Sequence, residues 1–169
     1  MVPPLRLILL LLLRAAPGVA QDCRLCEPAG LDSPPVARPL RVEFDGGLEF
    51  GRLALAGGGG GAVELNPGGD EARTDGRLID LGGLRYAAVV RLIGVPGGRV
   101  RVHWPDAMVL SSSSGGTPLR LESIRSDAPP VLVLDSGGRA RFRLGARLVV
   151  PAGAGGDYRG PITVEAEYE

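Results

Sequence analysis

The sequence predicts an all-β fold: an antiparallel β-sandwich of about eight to ten strands. Three observations predict it. Apolar and polar residues alternate with period two in many short segments, as in Leu40–Phe44 and Arg139–Val150. Clusters of Gly, Pro and Ser separate those segments, and helical periodicity is almost absent after residue 20. The alternation leaves one apolar face per strand, which favours antiparallel pairing between two packed layers.

The chain opens with MVPPLRLILLLLLRAAPGVAQ. Arg6 supplies a positive charge, Leu7 to Leu13 are unbroken apolar residues, and Gly18 and Ala20 are the small residues of a cleavage site after Ala20. This run is shorter than the ~20 apolar residues a bilayer demands, so residues 1–20 are expected to be a signal peptide for the general secretory route. Gln21 and Asp22 before Cys23 do not resemble a lipoprotein site. Export implies the periplasm, the cell surface or the medium. No later run reaches membrane length, so no transmembrane segment is expected after cleavage.

Residues 21–38 read as a Pro-rich tail. They carry both cysteines, Cys23 and Cys26, which in an oxidising compartment are expected to form a local or intermolecular disulfide. No strand–helix alternation supports a redox motif there, and the single histidine, His103, is remote. Residues 39–169 are the expected β domain.

Within it, Leu40, Val42 and Phe44 open the first strand. Asp45-Gly46-Gly47 makes a turn or bulge, after which Leu48 and Phe50 resume the pattern. Gly57–Gly61 reads as a loop before Val63 and Leu65; it lacks the Lys-Ser/Thr ending of a phosphate loop, so no cofactor is expected. Leu78, Ile79 and Leu81 precede a longer apolar strand, Tyr86–Ile93, and Gly94–Gly98 forms a turn. Val100, Val102 and Trp104 then face the core, with Arg99, Arg101 and His103 outward. Ser111–Gly116 is a polar loop, and further strands follow at Leu119–Glu122 and Val131–Leu134. The clearest strand places Ala140, Phe142, Leu144, Ala146, Leu148 and Val150 on one parity. Its other parity holds Arg139, Arg141, Arg143 and Arg147, read as a solvated face that blunts edge pairing, or else as a binder of an acidic surface. Gly145 marks a bulge or bend. In the last strand Ile162, Val164, Ala166 and Tyr168 alternate with polar residues.

Charge and motif exclude several functions. The chain carries 19 basic and 19 acidic residues, every basic one an arginine, so nucleic acid is not an expected partner. No signature surrounds a nucleophile near His103, no carboxylate pair stands out, and Asp70, Glu71 and Asp75 do not match a calcium loop. No metal and no enzymatic activity are expected. A secreted carbohydrate-binding module or hydrolase is the second class.

PLRVEFDGGLEFGRLAL, GGAVELNPGG, RLIGVPGGRVRV, RFRLGARLVVPAG and GDYRGPITVEAEYE occur in order from Pro39 to Glu169. On them the chain resembles a bacterial family of exported, uncharacterised β-sandwich proteins with pilin- and adhesin-like character. That resemblance implies an immunoglobulin-like sandwich at the cell surface, with an unknown protein or surface glycan as partner, self-assembly as an option, and no catalytic residues. The C-terminal segment is similar to the closing strand of fimbrial subunits, which makes Ile162, Val164, Ala166 and Tyr168 the candidate strand-pairing edge. The tail's Pro28, Pro34 and Pro35 make it a poor donor, so the expectation is a self-complete monomer.

Overall fold

The computed structural model describes residues 38–69 and 71–169; the signal-peptide pattern and the Pro-rich tail up to residue 37, with Cys23 and Cys26, lie outside the described residues. Among the described residues there is no helix, and fifteen strands are antiparallel wherever they pair. In chain order they begin with β1 (Arg41–Gly46), β2 (Glu49–Phe50), β3 (Leu53–Leu55), β4 (Gly61–Leu65) and β5 (Ala72–Gly76). Next come β6 (Leu78–Asp80), β7 (Arg85–Tyr86), β8 (Ala88–Ile93), β9 (Arg99–His103) and β10 (Ala107–Ser112). The last are β11 (Leu119–Ser126), β12 (Val131–Val133), β13 (Arg139–Val150), β14 (Tyr158–Arg159) and β15 (Glu165–Tyr168). The count exceeds the expected eight to ten because six of these strands are only two or three residues long. Regular pairing breaks there at glycines such as Gly51, Gly82 and Gly83, all at positive φ.

The framework is an eight-stranded sheet, β1-β8-β13-β11-β10-β14 with β4 and β5 attached through β13, which curls as a half-barrel. A three-stranded sheet, β12-β9-β15, and two ribbons, β2-β7 and β3-β6, complete the set. β13 organises the large sheet. On one edge it pairs first with β8 (Arg139–Leu144) and then with β4 (Ala146–Val150); on the other it pairs with β11. It is therefore a central strand, which removes edge-blunting as the reason for its arginines.

Gly145 sits where β8 hands over to β4. A β-carbon there would fall inside contact distance of the Leu65 carbonyl oxygen, 2.6 Å from Pro67 N and 2.8 Å from Asn66 C, so only glycine lets the end of β4 cross so closely. Opposite it, β11 is bulged between Glu122 and Arg125, with Ser123 at φ 53°. The expected bulge after Phe44 is also present, with Asp45 as the extra residue.

Alternation dictates the core. Phe142, Leu144, Ala146, Leu148 and Val150 of β13 are buried, as are Val90 and Leu92 of β8 and Leu119 and Leu121 of β11. Val100 and Val102 from β9 join the same cluster, so the small sheet shares one apolar core with the large one. Each of the Val, Leu and Phe side chains contributes about 1.5–3 kcal/mol when withdrawn from water. Trp104 packs against this core, its ring centroid 6.1 Å from that of Phe142, and its Nε1 donates to the Ile124 carbonyl at 3.2 Å.

One local expectation is met and two are corrected. The turn at Gly94–Gly98 is present, with Gly98 N–H donating to the Val95 carbonyl at 3.0 Å, and it carries the chain from β8 to β9, which lie in different sheets. Ser111 and Ser112 belong to β10 and pair with Arg159 and Tyr158, so the loop is confined to Ser113–Gly116. Phe44, expected inside, is 42% exposed, because the large sheet is left uncovered beside it.

Candidate functional site

The uncovered region is a cavity of about 850 Å³ that opens to solvent. Its floor is the inner face of the large sheet: Leu119 and Leu121 of β11, and Leu148 and Val150 of β13. Leu48, Phe50, Leu53 and Leu55 from the segment after β1 line it further. Tyr158 and Ile162, from the segment that leads into β15, complete the apolar lining, while Glu49, Asp157 and Arg159 supply charge. The volume is in the range of ligand and peptide sites, and the cavity has an apolar floor within a lining that is slightly more polar than apolar overall.

Backbone pairing around the cavity is incomplete. Residues 49–56 form a ladder with 77–86, through β2-β7, β3-β6 and bonds such as Arg52 N–H to the Gly82 carbonyl at 2.7 Å. Among the described residues they have no strand on the other edge. Residues 161–164 belong to no strand and make no backbone–backbone hydrogen bond among the described residues. Two stretches of chain that line or adjoin an apolar-floored cavity thus carry main-chain donors and acceptors without a partner strand.

The candidate edge divides at this point. Ile162 lines the cavity, and both it and Val164 precede the strand. Ala166 and Tyr168 lie in β15, docked antiparallel on β9 with Ala166 opposite Val102 and Tyr168 opposite Val100. Tyr168 is not a buried core residue. Its ring lies against Gly94 and Gly98, where β-carbons would collide with it, and its hydroxyl accepts from Val95 N–H at 2.8 Å and donates to the Arg38 carbonyl at 3.1 Å. Glu169 follows, accepting from Arg99 at 3.0 Å and from Arg101.

These bonds make acid response predictable. The hydrogen bond from Arg99, with the charges of Arg101 and Arg99, holds the Glu169 carboxyl below its ordinary value of 4.5. A group depressed on folding stabilises the fold above its unfolded pKa, and that contribution is lost as pH falls through the folded one. Glu169→Gln is therefore expected to lower the urea midpoint at about pH 7 and to narrow its gap to the parent chain at about pH 3. A gap that does not change with pH would show that Glu169 acts without its charge.

The remaining candidates fall into place individually. His103 is exposed on the outer side of β9, opposite Glu165. Asp70 lies outside the described residues. Asp75 is occupied, its Oδ1 accepting from Ala62 N–H at 3.0 Å and its Oδ2 pairing with Arg147 at 2.5 Å, which raises the arginine's pKa. Among the described residues no group of three His, Cys, Asp or Glu converges, and no helix is long and apolar enough to cross a membrane. The four β13 arginines all project from the outer face of the large sheet, away from the cavity floor. Arg147 also reaches Glu122 at 3.9 Å, and Arg141 reaches Asp45 at 4.0 Å.

Sequence reasoning missed the strands β3, β5, β10 and β14, and it missed the cavity. Its lining comes from positions as distant as Leu48 and Ile162, and no local pattern joins them. The one signal was in β10, where Met108, Val109 and Leu110 stand just before the serines.

A family model described as a domain of unknown function (DUF4402) matches residues 40–168. No curated protein and no solved structure matches the chain.

Proposed function

We infer that this chain, which belongs to the DUF4402 family of domains of unknown function, is an exported structural or adhesive surface protein. On this reading its fold is an immunoglobulin-like sandwich of pilin- or adhesin-like character, and it works by holding a partner instead of transforming a substrate. The N-terminal pattern of Arg6, Leu7–Leu13 and Ala20 supports export.

The observation that carries the reading is the open, apolar-floored cavity bordered by main chain without strand partners. Such a combination fits an extended polypeptide: its backbone would supply the missing hydrogen bonds, and its alternate side chains would enter the trough. The docking of β15 on β9 complements this arrangement, because the domain's own closing strand is already committed elsewhere.

Hydrogen exchange tests it. The amides of residues 49–55 and 161–164 are expected to exchange fast in the purified chain. They should become protected in the protein recovered from the surface of producing cells, while Ser113–Gly116 stays unchanged. Equal exchange in both preparations, or retention of the protein inside the cell, would refute the proposal.

A further inference from the structure

The arginines of β13 have lost their edge-guarding explanation, and they belong to a larger pattern. Register places Arg41 and Arg91 beside them on β1 and β8, Arg120 and Arg125 on β11, and Arg73 on β5. Across these strands and β4, nine arginines project from the outer face against five carboxylates: Glu43, Asp45, Glu64, Asp75 and Glu122. Asp127 and Asp135 stand at the rim, where they accept from the backbone N–H of Arg143 and Arg139. With both of them counted, the arginines still exceed the carboxylates by two, on a chain whose formal net charge is zero.

In the ion pairs of Arg120, Arg125 and Arg141 on this face the guanidinium lies outermost, whereas Arg147 at 32% lies beneath Asp75 at 53%. Arg141 is 62% exposed over Asp45 at 26%, and Arg125 is 69% exposed over Glu64 at 35%. Arg120 repeats this over Glu122. Arg41, Arg139 and Arg143 make no ion pair among the described residues. Successive outward residues on a strand stand about 6.8 Å apart and neighbouring strands about 4.8 Å. The result is a lattice of planar, forked donors on a curled surface.

We propose that this outer face binds an anionic polysaccharide, its carboxylate or sulfate groups bridged by Arg139, Arg141, Arg143 and Arg41. The guanidinium fork matches both groups through paired hydrogen bonds. The outward positions of β1, β8 and β13 carry no aromatic ring on which a base would stack, and the neutral chain lacks the long-range field of a nucleic-acid binder. This goes beyond the strand-binding cavity, which lies on the opposite face of the same sheet.

The test uses the full chain with heparin as the sulfated probe, polygalacturonate as the carboxylated one, dextran as the neutral control and single-stranded DNA as the rival polyanion. Binding to at least one anionic glycan at about 0.15 M salt, and none to dextran, is expected. Arg139→Gln/Arg143→Gln should weaken it about fivefold or more, while Arg52→Gln/Arg77→Gln, away from this face, should change it less than about twofold. If the glutamine pair shifts the urea midpoint, Arg139→Lys/Arg143→Lys is compared instead, and it should retain more binding than the glutamine pair. Equal losses from both glutamine pairs, no retention on either anionic glycan, or DNA bound more tightly than both would overturn the proposal.

Discussion

Phe142→Ala is expected to destabilise the domain by about 3–5 kcal/mol, the usual cost of emptying a buried aromatic site. The ring is 2% exposed, stands on the central strand of the large sheet and packs against Trp104. Flanking strands on both sides of β13 limit how far the surroundings can close over the vacancy. Arg141→Ala, one residue away on the opposite parity, should stay within about 0.5 kcal/mol. Urea titrations of the two variants read the difference directly. Equal losses would mean that the arginine face is covered.

Gly145→Ala should cost about 3 kcal/mol or more, although it adds a single methyl group. The atoms that a β-carbon would strike belong to the backbone of Leu65, Asn66 and Pro67, which cannot rotate aside as a side chain would. Relief requires β4 to retreat from β13, and that retreat would break the Ala146–Leu65 pairing and expose Leu65, now 1% exposed. Gly58→Ala, at a loop position where a β-carbon meets nothing within 4 Å and φ is not positive, controls for the loss of a glycine as such. If the two variants are equally stable, the crossing of β4 over Gly145 is looser than the structure indicates.

How much of this was legible in the sequence depended on the range of the information. Alternation is local, so the buried faces of β9, β11 and β13 could be read residue by residue, and so could the outward direction of His103. Which strands flank β13 is a long-range fact. A strand with four outward arginines reads the same at an edge or in the centre, because periodicity reports the face and not the neighbours. The same limit hid the sheet change at Gly94–Gly98, where the turn residues were recognised but not their destination. β10 escaped because its last two residues are serines, whose pairing with Tyr158 and Arg159 is set by register and not by propensity. At the candidate edge, Ile162 and Ala166 follow one unbroken alternation, yet only Ala166 finds a strand partner.

The Tyr168 hydroxyl, bonded to the Arg38 carbonyl, brings the two ends of the domain to one spot. Tension applied through both ends would therefore not stretch the large sheet along β13. It would part Tyr168 from Arg38 and then peel β15 from β9 one residue pair at a time, a sequence of small ruptures each about as weak as a single hydrogen bond.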